Sequence, residues 1–203
     1  VKPGTVLGHE AVGEVVEVGG EVHHLRPGDQ VIVSSVSACG HCRACRDAKY
    51  GQCGEGGGRI LGNLINGTQA ESVRVPFAEY STTRRPFDLP LDDAVLLAEL
   101  LPTAYDVGVR NGHVSPGDTV VVVGAGSVGL ATVVVARLYS PRRIIVTDLA
   151  GARLDTAVRV GADVAESPGK LLADLAEGPG ADVVIEASGD PDGFVLCTRA
   201  DAG

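Results

Sequence analysis

Methionine is missing from the whole sequence, position 1 included. A gene product starts with Met or loses it before a small residue. Here the chain opens on Val1-Lys2-Pro3 and stops at Asp201-Ala202-Gly203, so both ends read as cuts and an internal piece of a longer protein is expected. A basic cluster is missing too. The 17 Lys and Arg are outnumbered by 26 Asp and Glu, for a net charge of −9, which argues against nucleic acid or an anionic membrane surface as partner. No run approaches the roughly 20 apolar residues of a membrane helix. The longest, such as Val120 to Val123, are short and bounded by glycine, as suits buried strands. Val1-Lys2-Pro3-Gly4 has neither a basic patch nor an apolar region behind it, so no secretory signal is read and a cytoplasmic location is expected. What is present, 203 residues at 44% hydrophobic and 21% charged, suffices to bury the core of one or two domains.

The pattern changes near residue 90, which divides the chain into expected domains 1–90 and 91–203. The first part is β-rich. Ala11 to Val18 alternates, Gln30 to Ser34 follows the Pro27-Gly28-Asp29 turn, and Ala70 to Val75 fits a further strand. Between them, Cys39 to Gly67 is irregular and too long for an ordinary connection, so a ligand or a function is expected to order it. In the second part, Asp92 to Asn111 is helical in composition with Pro102 expected to kink or divide it. Strands at Thr119 to Val123, Ile144 to Thr147, Ala162 to Ala165 and Asp182 to Glu186 then alternate with helices at Val128 to Leu138, Arg153 to Val160, Leu171 to Glu177 and Gly193 to Ala200. This succession predicts an α/β fold with a doubly wound parallel sheet, showing about four strands where the full fold has six.

Cys39, Cys42, Cys45 and Cys53 form C-x2-C-x2-C-x7-C. Such short spacers let four thiolates converge on a tetrahedral ion at about 2.3 Å each, with Gly40, Gly51 and Gly54 letting the backbone wrap the metal. A closed four-sulfur shell leaves no open position, so loop 39–53 reads as a structural zinc site that contributes folding energy. Two disulfides, free thiols or an iron–sulfur cluster are the other readings of the same residues. One further cysteine and the lack of a secretory signal weigh against disulfides. Cys197 reads as a packed side chain, and His23, His24 and His113 as residues of polar turns.

Gly124-Ala125-Gly126-Ser127-Val128-Gly129 follows one strand and opens a helix. The first glycine permits the tight turn, the second lets the backbone approach a pyrophosphate, and the third lets helix pack on strand, so Gly124, Gly126, Ser127, Val128 and Gly129 are read as cofactor-binding. Asp148 closes the next strand. Its carboxylate can accept from both ribose hydroxyls and would repel a 2′-phosphate, which favours NAD over NADP; capping the following helix is a compatible alternative.

Gly8-His9-Glu10 begins a G-H-E-x-x-G motif in which an imidazole and a carboxylate can supply a metal ligand and a group to tune it. Alone it reads as a solvated turn. Its place some 30 residues before the four-cysteine loop, itself followed by G-x-G-x-x-G, resembles the zinc-dependent medium-chain alcohol dehydrogenases. Leu61-Gly62-Asn63-Leu64-Ile65-Asn66-Gly67-Thr68-Gln69-Ala70-Glu71 and Leu100-Leu101-Pro102-Thr103 look like the formaldehyde-dehydrogenase-like branch. The resemblance implies a partial GroES-like β domain followed by a partial Rossmann domain, with the active site in the cleft between them. It implies a catalytic zinc on His9, with Glu10 as tuning or alternate ligand and Glu99 as the next, and Thr103 near zinc and nicotinamide. Two zincs per full-length chain, NAD, a small alcohol or aldehyde substrate and a homo-oligomer (dimer or tetramer) follow from the same likeness. Arg153 matches a position near the adenosine ribose, with a helix-surface charge as the alternative, and Glu186-Ala187-Ser188-Gly189 matches a stretch passing close to the cofactor. Arg59 stands where related sequences tend to carry an aromatic and is expected to face the substrate. The family's first catalytic zinc ligand, a cysteine, precedes the Gly-His-Glu motif by about 20 residues or more, so the catalytic set is expected to be incomplete and the piece inactive by itself. A polyol or threonine dehydrogenase and a non-catalytic zinc- and NAD-binding module are the rival readings.

Overall fold

The computed structural model describes the chain apart from residues 56, 57, 59, 87, 88, 177, 179 and 201–203. The expectation for Arg59 therefore lies outside the described residues. The chain forms two compact units, Val1–Glu99 and Leu100–Gly203.

The first unit carries a three-stranded antiparallel sheet in the order β1 (Ala11–Glu14), β2 (Gln30–Val33), β3 (Thr82–Arg84). β2 is central, and its Val31, Ile32 and Val33 are buried on both faces. β1 ends four residues sooner than its alternation suggests. Beyond Glu14 the backbone turns to the Pro27-Gly28-Asp29 turn, where Val15 donates to Asp29 O at 2.9 Å and accepts from Gly28 N at 2.8 Å. That turn is closed by the Asp29 carboxylate on Arg26 N at 2.8 Å, with Gly28 at φ +92°. The strand expected over Ala70 to Val75 does not form. Its alternation is a property of side chains, whereas a strand also needs a partner backbone, and none of the described strands pairs with it. The third strand is instead Thr82–Arg84, which has no apolar alternation and is held by its register with β2, Ile32 opposite Thr83.

Helix α1 (Arg43–Arg46) and a 3₁₀ turn at Tyr50–Gln52 lie inside the segment expected to be irregular. Helix α2 (Ala78–Ser81) precedes β3 and ties three parts of the unit together. Ser81 Oγ accepts from Ala38 N at 3.2 Å, Tyr80 occupies the space a side chain at Gly40 would need, and Glu79 bonds His24 Nδ1 at 2.9 Å. His24 Nε2 faces Thr82 O at 3.0 Å, so both ring nitrogens meet acceptors. The hydrogen bond with Glu79 is the main reason the His24 pKa is raised, against the pull of partial burial. Helix α3 (Leu91–Ala94) and a 3₁₀ turn at Val95–Leu97 bring Ala94 and Ala98 onto Ile32.

The second unit begins with α4 (Leu100–Thr103) and a π-helical stretch, Ala104–Arg110. The long helical segment expected from Asp92 to Asn111 is thus divided, with its break at Ala98 and Glu99. Pro102 sits in the first turn of α4, where its missing N–H leaves no bond unmade. A four-stranded parallel sheet follows in the order β6 (Val164–Glu166), β5 (Arg143–Thr147), β4 (Thr119–Val123), β7 (Val183–Glu186). The helices are α5 (Ser127–Ala136), α6 (Gly151–Arg159), α7 (Pro168–Ala176) and α8 (Pro191–Ala200). The period of two sorts the apolar runs between the faces. Val120, Val122, Ile144 and Val146 pack with α5 and α6, and Val121, Val123 and Ile145 with Leu171 of α7 and Leu196 of α8. Among the described residues no helix is long and apolar enough to cross a membrane.

Candidate functional site

Three groups of residues carry chemistry. The first is the four-cysteine loop. The sulfurs of Cys39, Cys42, Cys45 and Cys53 all lie within 4.8 Å of one another. Cys42 and Cys45 are 3.6 Å apart and Cys39 and Cys45 3.9 Å. A disulfide requires about 2.05 Å, so these are four free thiols gathered without bonding. Four sulfurs at about 2.3 Å from a common ion would be about 3.8 Å from each other. The observed spacings fit that shell. Backbone amides turn inward as well, Cys39 N onto Cys53 Sγ and Cys42 N onto Cys39 Sγ, both at 3.4 Å. The amides of Cys45 and Gly54 draw the Cys42 thiol down to about 6, while burial pushes Cys45 up to about 12. A divalent cation at the centre would favour the thiolate on all four. Of the three glycines expected to wrap the loop only Gly40 is needed, at φ +81° beneath the Tyr80 ring; Gly51 and Gly54 have open space where a side chain would go.

The second group lies at the entrance to β1. His9, Glu10 and Glu99 each offer a ligand atom, all within 4.8 Å of one another. His9 Nε2 lies 3.8 Å from Glu10 Oε1, and these two side chains are 35% and 36% exposed, whereas Glu99 is only 7% exposed. Glu99 is buried although its neighbours Leu96 and Leu97 are exposed. The backbone that presents His9 runs beside residues 66–69. Gly67 N donates to Val6 O at 2.8 Å, Thr68 N to Gly8 O at 3.0 Å and Gln69 N to Leu7 O at 2.9 Å. Thr68 Oγ1 also donates to Glu10 O at 2.9 Å, and Asn66 Oδ1 accepts from Val6 N at 3.1 Å. Gly8, at φ +96°, has Thr68 Oγ1 only 2.6 Å from where a Cβ would stand, and Gly62 and Gly67 pack on the Gly8 backbone in turn. Asn66 and Thr68 were not legible as functional residues. Their only sequence signal was the likeness of the Leu61 to Glu71 stretch.

The third group is the glycine-rich turn, in the second unit. β4 connects onward to β5 on one side and pairs β7 on the other, so the strand order reverses at the C-terminal ends of β4 and β7, where open α/β sheets bind ligands. Gly124 stands there at φ +102°, and a Cβ on it would meet Ser188 N at 2.6 Å. A Cβ on Gly129 would strike Gly124 O, whereas one on Gly126 would meet nothing within 4 Å. The first and third glycines are thus explained by the protein's own packing. The second is not, and its open side, at the start of α5, fits an approaching anion. Asp148 Oδ2 accepts from Ala125 N and Oδ1 from Ala150 N, both at 2.8 Å, with Arg153 Nη1 3.6 Å from Oδ2. Burial opposes its charge, but the two amides and Arg153 hold its pKa below the usual carboxylate range. The bond to Ala150 is an Asx turn ahead of α6 rather than a side-chain cap, which that helix lacks. Glu186 Oε1 gathers Ser188 N at 2.7 Å and Gly189 N at 3.0 Å, fixing the loop that abuts Gly124. Thr103 closes α4.

Residues 1–86 match the alcohol dehydrogenase GroES-like domain. The chain is 38% identical over 199 residues to the medium chain reductase/dehydrogenase ucsI of Acremonium sp, covering 92% of this chain and 67% of that protein. It is 39% identical over 176 residues to the glutathione-independent formaldehyde dehydrogenase of Pseudomonas aeruginosa, covering 80% of this chain but only 44% of that enzyme. Among solved structures, zinc dependent alcohol dehydrogenase 2 from Streptococcus pneumonia, in its apo form, superposes with a TM-score of 0.92 at 40% identity, over 99% of this chain and 58% of that one. The antiparallel sheet of the first unit and the parallel sheet of the second are the two halves of that shared architecture, and the chain belongs to the medium-chain dehydrogenase/reductase family.

Proposed function

We propose that the complete protein is a zinc-dependent oxidoreductase that moves a hydride between an alcohol, or an aldehyde hydrate or adduct, and NAD. The observation that carries this reading is the convergence of His9, Glu10 and Glu99, in a chain that also presents a dinucleotide-type turn. Zinc supplies Lewis-acid polarisation of a substrate oxygen, and NAD supplies the hydride acceptor. His9 contributes a neutral ring nitrogen, and Glu99 a carboxylate kept out of water by its burial. Glu10, beside His9, tunes or replaces a ligand. The four cysteines hold a second, closed zinc with a structural role. On the cofactor side, Gly126 gives the pyrophosphate its approach to the amides of Ser127 and Val128. Asp148 keeps unused lone pairs on both oxygens for the ribose hydroxyls, with Arg153 beside it.

Metal analysis of the complete protein tests the proposal. Two zincs per chain, with NAD reduction by simple alcohols or by formaldehyde, are expected; a single zinc and no turnover would leave a binding module. Turnover confined to threonine or a polyol would keep the chemistry and replace the substrate class. Cofactor choice gives a separate check. In Asp148→Asn the charge that repels a 2′-phosphate is gone, worth about 1–2 kcal/mol at the effective dielectric of a protein surface. The NADPH-to-NADH affinity ratio, read by nucleotide fluorescence, should rise on the order of tenfold. An unchanged ratio would remove Asp148 from the ribose site.

A further inference from the structure

His9 and Glu10 are each about one third exposed, at 35% and 36%, so side-chain packing does little to fix their directions. Their aim must come from the backbone. That backbone is bracketed by one residue. Thr68 donates its amide to the carbonyl ahead of His9, that of Gly8, at 3.0 Å, and its hydroxyl to the carbonyl behind Glu10 at 2.9 Å. The two bonds anchor the peptide planes on either side of the His9-Glu10 pair. The neighbouring bonds from Gly67 and Gln69 use main-chain amides alone and could be made by any residue but proline. The hydroxyl bond depends on the side chain, and Gly8 has no Cβ to obstruct it.

We propose that Thr68 is the positioning residue of the His9–Glu10–Glu99 metal site, setting its affinity by holding the two ligands of the Gly-His-Glu turn in register with Glu99. This rests on the reading of that cluster as a metal site. Thr68 touches neither metal nor substrate, and acts through the carbonyls of Gly8 and Glu10. Valine has the same shape without the donor, leaving the Glu10 carbonyl unpaired; serine keeps the donor and loses only a methyl group.

The test is a cobalt(II) titration of the 203-residue chain and its variants Thr68→Val and Thr68→Ser. Thiolate-to-cobalt charge transfer reports the four-cysteine site, and cobalt bound without that band, counted by equilibrium dialysis, reports the other. Groups that orient metal ligands typically carry 10- to 100-fold in metal affinity. Thr68→Val should therefore weaken the second site about tenfold or more and leave the four-cysteine site unchanged, while Thr68→Ser stays within about threefold of the parent. Equal second-site affinity in Thr68→Val and parent overturns the proposal. So does a Thr68→Ser as weak as Thr68→Val, or a Thr68→Val that loses both sites together, which would make Thr68 a general structural residue. A parent chain that binds cobalt only at the cysteines shows that His9, Glu10 and Glu99 do not hold a metal by themselves, and the positioning role fails with it.

Discussion

Replacing Cys45 with serine is expected to remove one zinc per chain and to melt the first unit at a much lower temperature. Cys45 is buried, and its sulfur lies within 4 Å of both Cys39 and Cys42, so it stands at the middle of the cluster. The loop has almost no apolar core apart from these sulfurs and Ala38. On the proposed structural zinc, its order comes from the shared cation, and the free energy of metal binding is then folding free energy, about 10–16 kcal/mol for structural zinc in small peptides. Losing even ~3 kcal/mol of that lowers the melting temperature of a domain of roughly 100 residues by on the order of 10–20 °C. Ala38, Gly40 and Ser81 connect the loop to α2, so the disturbance should spread to the β2–β3 pair. Calorimetry with zinc analysis provides the measurement, and a chelator added to the parent should give the same melting curve. A serine variant with full zinc content and an unchanged transition would remove Cys45 from the metal site.

The glycine-rich turn yields an opposite pattern, in which stability and cofactor binding separate. Gly126 has an ordinary backbone, φ −73°, and nothing within 4 Å of an added Cβ. Gly126→Ala should therefore melt within about 2 °C of the parent, since a methyl group in open space costs little. It should nevertheless weaken NADH binding by on the order of 100-fold, because the methyl occupies the approach of the pyrophosphate to the α5 amides. Gly124→Ala should fail on both counts. Its Cβ would crowd Ser188 N at 2.6 Å and Ala187 C at 2.7 Å, and φ +102° is itself unfavourable for alanine. A cost of about 2 kcal/mol or more is expected from strain and overpacking together. Nucleotide titration beside thermal melting distinguishes the two. Normal NADH affinity in Gly126→Ala would mean that no dinucleotide approaches this turn.

The legible features were those whose physics is local. Val120 to Val123, short and bounded by glycine, suits a buried strand, and it pairs β5 and β7 in the centre of the sheet. The Cys spacers bring four sulfurs together in any reasonable loop, and the glycine turn carries its strand and helix with it. The failures came where a partner decides. Ala70 to Val75 alternates like a strand but has no strand to pair with, while Thr82–Arg84 alternates poorly and is a strand because β2 lies beside it. Gly51 and Gly54 look like turn glycines, yet open space surrounds them.

The sequence by itself determined the kind of protein: a β-rich part with a metal-type loop and an alternating α/β part with a nucleotide-type turn, both set by spacing over a few residues. Only the tertiary structure decided which residues meet. Local spacing does not say that Glu99, 90 positions beyond His9, brings its carboxylate to the same point; only the family likeness paired the two before the fold brought them together. Nor does it say that Thr68 spans the two carbonyls around the Gly-His-Glu turn. Those distances depend on how the sheet and its loops close in space, where burial and hydrogen bonding between distant segments outweigh any local preference.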